Sequence, residues 1–217
     1  MDSHDELSIK FSKMKEECLR LYRKVEMKGS MISKNHLREG VSVEDVGMRI
    51  ADIITEFDLK IWITATRGDP GISTKLFVPS NRSKGVLPKD IARELLLERI
   101  SGYTGLVDNN GKYLMIWDLS DTQELSDFSN LIENYVNPYN GKKTCPSIIP
   151  NILGGLSHEW PELQLCDLIA NFSLNHLADG YFDDCDKMKS RVFKKHIYPL
   201  LMKGKNGIDG IGWKVYF

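Results

Sequence analysis

The sequence of 217 residues lacks the signals of a membrane protein and of a secreted protein. No apolar run approaches the roughly 20 residues that span a bilayer. The start, MDSHDELSIK, is charged where a signal peptide needs an apolar stretch. The four cysteines form no CxxC pair, so no disulfide framework is expected. These absences predict a cytoplasmic protein that does not associate with membranes.

Several common catalytic and binding motifs are also missing. The histidines and cysteines include no closely spaced pair of zinc ligands. No glycine-rich phosphate loop lies between a strand and a helix, and no GxSxG nucleophile motif occurs. The sequence therefore argues against zinc proteins, P-loop nucleotide-binding proteins and serine hydrolases of the GxSxG type.

The composition is typical of one globular domain, with 41% hydrophobic and 27% charged residues. The net charge of −1 conceals a basic segment at residues 187–206 that contains no acidic residue. An electrostatic partner is expected to contact this segment. Its basic residues are Lys187, Lys189, Arg191, Lys194, Lys195, Lys203 and Lys205.

Helical and strand patterns alternate along the chain. Helices are predicted over residues 5–24, over residues 43–57 after a Ser42 cap, over 88–101, from Ser120 or Asp121 onwards, through ELQLCDLIANF, and over about 184–203. The segments LKIWITAT, TKLFVPS, PSIIPNILGG and GWKVYF are predicted strands, and GLVDNNGKYLMIWD is a predicted hairpin. RGDPG is a predicted turn. This alternation predicts an α/β layered fold.

One aspartate stands out in the apolar segment ELQLCDLIANF. Asp167 is the only residue from Leu163 to Asn175 that is charged at neutral pH, and burial of an unpaired carboxylate costs several kcal/mol. On a helical wheel it shares a polar row with Gln164, Asn171 and Asn175. This row is either a solvated surface stripe or the wall of a partly buried cavity.

A metal ion is the simplest compensation for a carboxylate in such a wall. Mg²⁺ and Mn²⁺ need several oxygen ligands, so Asp167 would need further acids. Asp118 is the second candidate because it closes the predicted strand at Tyr113–Trp117, and ligands of α/β sheets gather at the carboxyl ends of strands. A helix-capping or loop role is the alternative for Asp118.

These segments also carry a family resemblance. ELQLCDLIANF resembles the Leu-Gln-Leu-Ala-Asp-Leu-Ile-Ala helix of a large prokaryotic family of uncharacterised proteins with a ribonuclease H-like fold, with Cys166 in place of alanine. LMIWDLSD is similar to the strand of that family that ends in aspartate, KVEMKGS to its Glu-Ile-His-Gly segment, and GIGWKVYF to its closing strand. The resemblance covers roughly residues 8–217 in order.

The resemblance implies a single ribonuclease H-like domain over residues 1–217, with a mixed sheet flanked by helices. Matched by position, it implies that Glu26, Asp118 and Asp167 hold Mg²⁺ or Mn²⁺ in a nuclease that cleaves nucleic acid phosphodiesters. The basic segment would then hold the nucleic acid backbone, although a solvated helix face also explains it. The expected nucleic-acid-binding residues are Lys187, Lys189, Arg191, Lys194 and Lys195.

The sequence departs from the family at its beginning. The usual first strand with Asp-Glu-Ser-Gly is missing, and Lys28 replaces the histidine that follows Glu26. A start upstream of Met1, a separate chain that supplies the strand, or loss of activity would each explain this. The open sheet edge is expected to attract a protein partner or a second copy of the chain. The rival function is therefore a non-catalytic subunit that binds nucleic acid or a protein.

Overall fold

Helices and short strands alternate in the computed structural model, which describes residues 3–20, 26–33, 35–66, 88–107, 113–118, 122–136, 148–179, 185–204, 207–208 and 212–216. The predicted α/β class is confirmed. The helices are α1 (Ser3–Cys18), α2 (Val43–Glu56), α3 (Pro88–Val107), α4 (Thr122–Val136), α5 (Pro161–Ala178) and α6 (Lys187–Val192). The strands are β1 (Ile63–Thr66), β2 (Tyr113–Asp118), β3 (Ile148–Gly155) and β4 (Trp213–Tyr216). No helix in these ranges is long and apolar enough to cross a membrane.

The chain divides into two compact units. Unit 1 comprises Met1–Ile61 and Gly155–Leu201, and unit 2 comprises Trp62–Gly154 and Met202–Phe217. The prediction of a single domain is not decided by this division and stays a prediction.

Helix α2 in unit 1 begins as its sequence predicts. Ser42 Oγ accepts a hydrogen bond from the Asp45 amide at 3.1 Å, and Asp45 Oδ2 accepts one from the Ser42 amide at 2.7 Å, which forms a capping box. One face of α2 is buried, and Gly47 lies against Val192 of α6, where a Cβ would be 2.0 Å from Val192 Cγ1. The glycine therefore allows the two helices to approach closely.

Helix α1 ends earlier than predicted. It stops at Cys18, and Leu19 forms an isolated antiparallel bridge with Leu37. The Arg20 amide donates to His36 O at 2.9 Å, and the Arg38 amide donates to Cys18 O at 2.8 Å. Backbone hydrogen bonds to residues 36–38 thus replace the next helical turn, and the helix prediction is wrong for residues 19 and 20. Residues 21–25 lie outside the described residues.

Two short strand pairs lie in the described part of unit 2. β1 and β4 are parallel, with Ile63 opposite Trp213 and Thr66 opposite Tyr216, and β2 pairs with β3. β3 continues across Pro150, a residue that strands tolerate where the missing N–H would face away from the partner. The core of this unit is formed by Leu97, Phe128, Ile132, Ile148 and Ile152.

The predicted hairpin before β2 is wrong in its first arm. Residues 105–107 continue α3, which ends at Val107 rather than at residue 101. Tyr103 packs edge-on against Trp62, with 5.1 Å between ring centroids, so a tertiary contact supports the additional helical turn. The predicted turn RGDPG and strand TKLFVPS lie outside the described residues, as does the turn NNG.

The predicted helix over residues 184–203 is also wrong as a single helix. Asp186 caps α6 by accepting hydrogen bonds from the Met188 amide at 3.0 Å and the Lys189 amide at 3.2 Å. A π-helical turn follows at Phe193–Ile197, and a 3-10 turn at Tyr198–Leu200 contains Pro199. Phe193 and Ile197 are fully buried, so packing of these two residues accompanies the change of helix type.

Candidate functional site

The polar row of α5 binds other segments of unit 1. Gln164 is buried, and its Oε1 accepts hydrogen bonds from the Met27 amide at 2.9 Å and from Lys15 Nζ at 3.4 Å. At the other end of the row, Asn175 Oδ1 accepts a hydrogen bond from the Asp186 amide at 2.9 Å. Gln164 and Asn175 of the row thus contact other segments of this chain. Their side chains hold the backbone segments that lead into a 3-10 turn, Gly29–Met31, and into α6.

Asp167 contacts the first residue of that 3-10 turn. Its Oδ2 accepts a hydrogen bond from the Gly29 amide at 2.9 Å, while the residue as a whole remains exposed. The amides at the start of a helical turn lack partners within the turn, so a carboxylate is a favourable acceptor there. Asp167 therefore does not carry the cost of a buried, unpaired charge.

Lys189 holds the carbonyl group of the same glycine. Its Nζ donates to Gly29 O at 2.9 Å and to Asn171 Oδ1 at 3.0 Å. The residue is only 6% exposed, and this burial lowers the pKa of its ammonium group. Both backbone groups of Gly29 are therefore bound by side chains. We call Gly29, Asp167, Asn171 and Lys189 the glycine clasp.

The clasp requires a glycine at position 29. A Cβ on that residue would lie 2.1 Å from Asn171 Cβ and 2.4 Å from Asn171 Cγ. No carbon atoms pack at such distances, so the turn reaches α5 only without a side chain. Sequence reasoning missed Gly29 and the inward orientation of Lys189, because neither residue lies in a pattern that indicates long-range contacts.

Glu26 lies three residues before Gly29, in a different environment from that of Asp167. It accepts a hydrogen bond from Ser157 Oγ, and its Oε2 lies 3.3 Å from Lys28 Nζ. Burial lowers the pKa of the Lys15 ammonium group, and the nearby charge of Glu26 opposes this effect only in part. Lysines and a hydroxyl group, all from this chain, therefore compensate the Glu26 carboxylate.

Asp118 is the third of the predicted metal ligands. It ends β2, as predicted, and its side chain is exposed. It belongs to unit 2, whereas Glu26 and Asp167 belong to unit 1. Within the residues that the structure describes, no three histidine, cysteine, aspartate or glutamate side chains are grouped so that they could hold a metal ion. Mg²⁺ or Mn²⁺ binding by these three carboxylates stays a prediction.

The predicted nucleic-acid-binding residues fall into three groups. Lys189 is buried in the glycine clasp, where two oxygen acceptors hold its ammonium group. Its burial does not favour the predicted contact with nucleic acid, which stays a prediction. Lys195 is paired with Glu44 of α2, which also contacts His196 Nε2 at 3.2 Å. The hydrogen bond from Lys195 lowers the pKa of the Glu44 carboxyl group most, and the contact with His196 lowers it further.

Lys187, Arg191 and Lys194 form the remaining group, and we call them the basic face. All three are exposed, and they follow one another at spacings of four and three residues on α6 and the π-helical turn. Side chains at such spacings share one side of a helix. Among the described residues, no carboxylate forms an ion pair with any of them.

Comparison with known proteins adds no assignment. Neither a scan against protein-family models nor searches of curated proteins and of solved structures found a match. The resemblance to the ribonuclease H-like family therefore stays a prediction.

Proposed function

We propose that this chain is a non-catalytic nucleic-acid-binding subunit that contacts the phosphate backbone through the basic face. The observation that carries the proposal is the exposure of Lys187, Arg191 and Lys194 on one side of α6 and the following turn. Cations arranged in this way neutralise phosphates and release their counterions, whatever the base sequence. Binding without base specificity is therefore expected.

The contacts of the carboxylates favour binding over catalysis. Asp167 Oδ2 bonds the Gly29 amide, and Glu26 bonds Ser157 and Lys28. Donors from this chain therefore compensate both carboxylates without a metal ion. The folding of unit 1 alone explains the contacts of Asp167 and Glu26.

The salt dependence of binding provides the first test. Neutralisation of three phosphates predicts that log K falls with log salt concentration with a slope of about −2 for single strands and about −3 for duplex DNA. Replacement of Lys194 by glutamine should weaken binding and reduce the slope by about one. Lys195→Gln is the matched control, because Lys195 is already paired with Glu44 and should contribute much less.

The measurement is fluorescence anisotropy of a labelled oligonucleotide, at several salt concentrations, with both variants and the parent. Equal effects of Lys194→Gln and Lys195→Gln would contradict the assignment of the basic face. No affinity of the parent at low salt would refute the proposed function itself.

The second candidate function is metal-dependent cleavage of nucleic acid on a ribonuclease H-like fold that lacks its first strand. The exposure of Asp167 favours it, because an accessible carboxylate can still accept a cation beside its bond to Gly29. Glu26 and Asp118 would be further acids, with Mg²⁺ or Mn²⁺ as the cofactor. Purified protein with Mn²⁺ should then cut single-stranded or duplex DNA, RNA or a hybrid, and Asp167→Asn should abolish cutting. Failure to cut any of these substrates would eliminate this candidate.

A protein partner or a second copy of the chain that adds a strand to a sheet of this chain is a further proposal. The short parallel pair of β1 and β4 supports it, because a small sheet gains hydrogen bonds from an added strand. Size-exclusion chromatography with light scattering tests self-association, and a monomer at all concentrations would exclude the second copy.

A further inference from the structure

One exposed apolar side chain borders the basic face. Met188 is 47% exposed, although methionine is a residue that folded proteins commonly bury. It follows Lys187 directly in α6 and lies three residues before Arg191, a spacing at which side chains are neighbours on a helix. The surface beside Arg191 therefore offers a cation and a polarisable apolar group together.

The opposite side of α6 is bound to the rest of unit 1, which fixes the direction of Met188. Lys189 is held in the glycine clasp, and Ser190 Oγ donates a hydrogen bond to Asp179 Oδ2 at 2.7 Å. Val192, on the same side as these two residues, is only 2% exposed. Met188 is therefore presented to a ligand without a rearrangement of the helix.

Duplex and single-stranded nucleic acids offer different groups to such a surface. A duplex stacks its bases in its interior, so cations that meet its backbone contact phosphates and sugars. A single strand leaves the faces of its bases accessible to side chains. Because a methionine sulfur makes favourable contacts with aromatic rings, Met188 gains most from an unpaired base.

We propose that the basic face is selective for single-stranded nucleic acid, with Met188 in contact with an unpaired base while Lys187, Arg191 and Lys194 hold the phosphates. This inference rests on the proposed function. The cations alone favour a duplex, since its charge density is higher and its binding depends more steeply on salt. Met188 is thus the residue that determines the selectivity.

A membrane surface that contains anionic lipids also combines negative charge with an apolar phase. The binding of a helix to such a surface scales with the apolar area that it inserts. Met188 is the single exposed apolar residue of the six in α6. One methionine covers a base, whereas anchoring a helix in lipid requires a larger apolar face, so these observations favour nucleic acid.

The test measures Kd by fluorescence anisotropy for a labelled single-stranded DNA oligonucleotide and for the duplex of the same sequence, at equal salt concentration. We expect the parent to bind the single strand about fivefold more tightly, which is within the range of one contact between sulfur and an aromatic ring. Met188→Gln keeps an unbranched side chain of similar helix propensity and should bind both ligands about equally. Met188→Leu keeps an apolar side chain and should retain most of the preference.

Salt dependence and a second methionine provide the controls. Met188→Gln removes no cation, so its slope of log K against log salt concentration should equal that of the parent. Met48 in α2 is similarly exposed, at 40%, and is not part of the basic face, so Met48→Gln should leave both affinities unchanged. In the parent, which needs no variant, the methyl NMR signal of Met188 should shift with the single strand much more than with the duplex, through the ring current of a base.

Each outcome has a defined meaning. An unchanged preference in Met188→Gln, an equal effect of Met48→Gln, or a Met188 methyl signal that does not respond to the single strand would overturn the selectivity. Binding of the parent to phosphatidylcholine vesicles with phosphatidylserine more tightly than to either oligonucleotide would assign the surface to membranes and overturn it as well.

The selectivity and the proposed function fail in different ways. A parent that binds the duplex as tightly as the single strand would overturn the selectivity and leave the proposed function intact. A parent that binds neither oligonucleotide at low salt would refute the proposed function, and the selectivity with it.

Discussion

Replacement of Gly29 by alanine tests the glycine clasp directly. The new methyl group would lie 2.1 Å from Asn171 Cβ, so the 3-10 turn must move away from α5. That movement lengthens the bond from the Gly29 amide to Asp167 and the bond from Lys189 Nζ to Gly29 O, both of which are 2.9 Å. Lys189 would then keep a buried ammonium group with fewer acceptors.

The expected loss of stability follows from these contacts. Overpacking costs about 1–3 kcal/mol, and weakened hydrogen bonds to buried or charged groups cost about 1–3 kcal/mol more. We expect the free energy of unfolding to fall by about 3 kcal/mol, which corresponds to a decrease in Tm of about 6–12 °C for a chain of this size.

Chemical denaturation followed by circular dichroism measures this loss. Gly102→Ala is the matched control, because its Cβ would meet no atom within 4 Å and it lies in helix α3. Alanine there should raise stability by about 0.5–1 kcal/mol. Asn171→Gly removes the atoms that the new methyl group would meet, so Gly29→Ala should cost much less in that background. A cost below about 1 kcal/mol in the parent, or an equal cost in both backgrounds, would refute the clasp.

Three further predictions concern single side chains. Asp167→Ala removes the acceptor of the Gly29 amide, and we expect denaturation to show a loss of about 1 kcal/mol. Asp167→Asn keeps an acceptor and should change stability by less. A larger loss for Asp167→Asn would contradict the role of Asp167 as an acceptor. Lys189→Met should cost about 1–3 kcal/mol because it removes the hydrogen bonds from Nζ to Gly29 O and to Asn171 Oδ1. Lys187→Met, at an exposed position, should change stability by less than about 0.5 kcal/mol. Equal effects would refute the difference in burial. Burial lowers the pKa of His176 in the folded protein, so the unfolded chain binds the proton first. The free energy of unfolding should therefore reach its plateau above about pH 6.5 and decline as the pH falls below it. Denaturation should show a smaller decline for His176→Asn than for the parent.

Local sequence was sufficient for several elements of the fold. Ser42 and Asp45 form the capping box that starts α2, because the two side chains and the two amides lie within three residues of one another. The strand at Ile63–Thr66 and the helix that contains Asp167 also follow from local patterns. Such features involve neighbours in the sequence, so their contacts are present in the pattern itself.

Tertiary contacts decided the elements that were predicted wrongly. Cys18 ends α1 because backbone groups near residue 37 offer alternative hydrogen bonds, and α3 extends past residue 101, where Tyr103 contacts Trp62. The predicted helix over residues 184–203 is divided by the π-helical turn at Phe193–Ile197, where both end residues are buried. In each case a partner far away in the sequence outweighs the local preference.

The candidate site shows the same division between sequence and structure. The sequence alone determined that Asp167 is exceptional in an apolar helix and that residues 187–206 are basic. Only the tertiary structure decided that Asp167 binds the Gly29 amide, that Lys189 is buried, and that Lys187, Arg191 and Lys194 are exposed. The physical reason is that a charged side chain is tolerated wherever it finds partners, and residues 29, 167 and 189 become partners only when the chain folds.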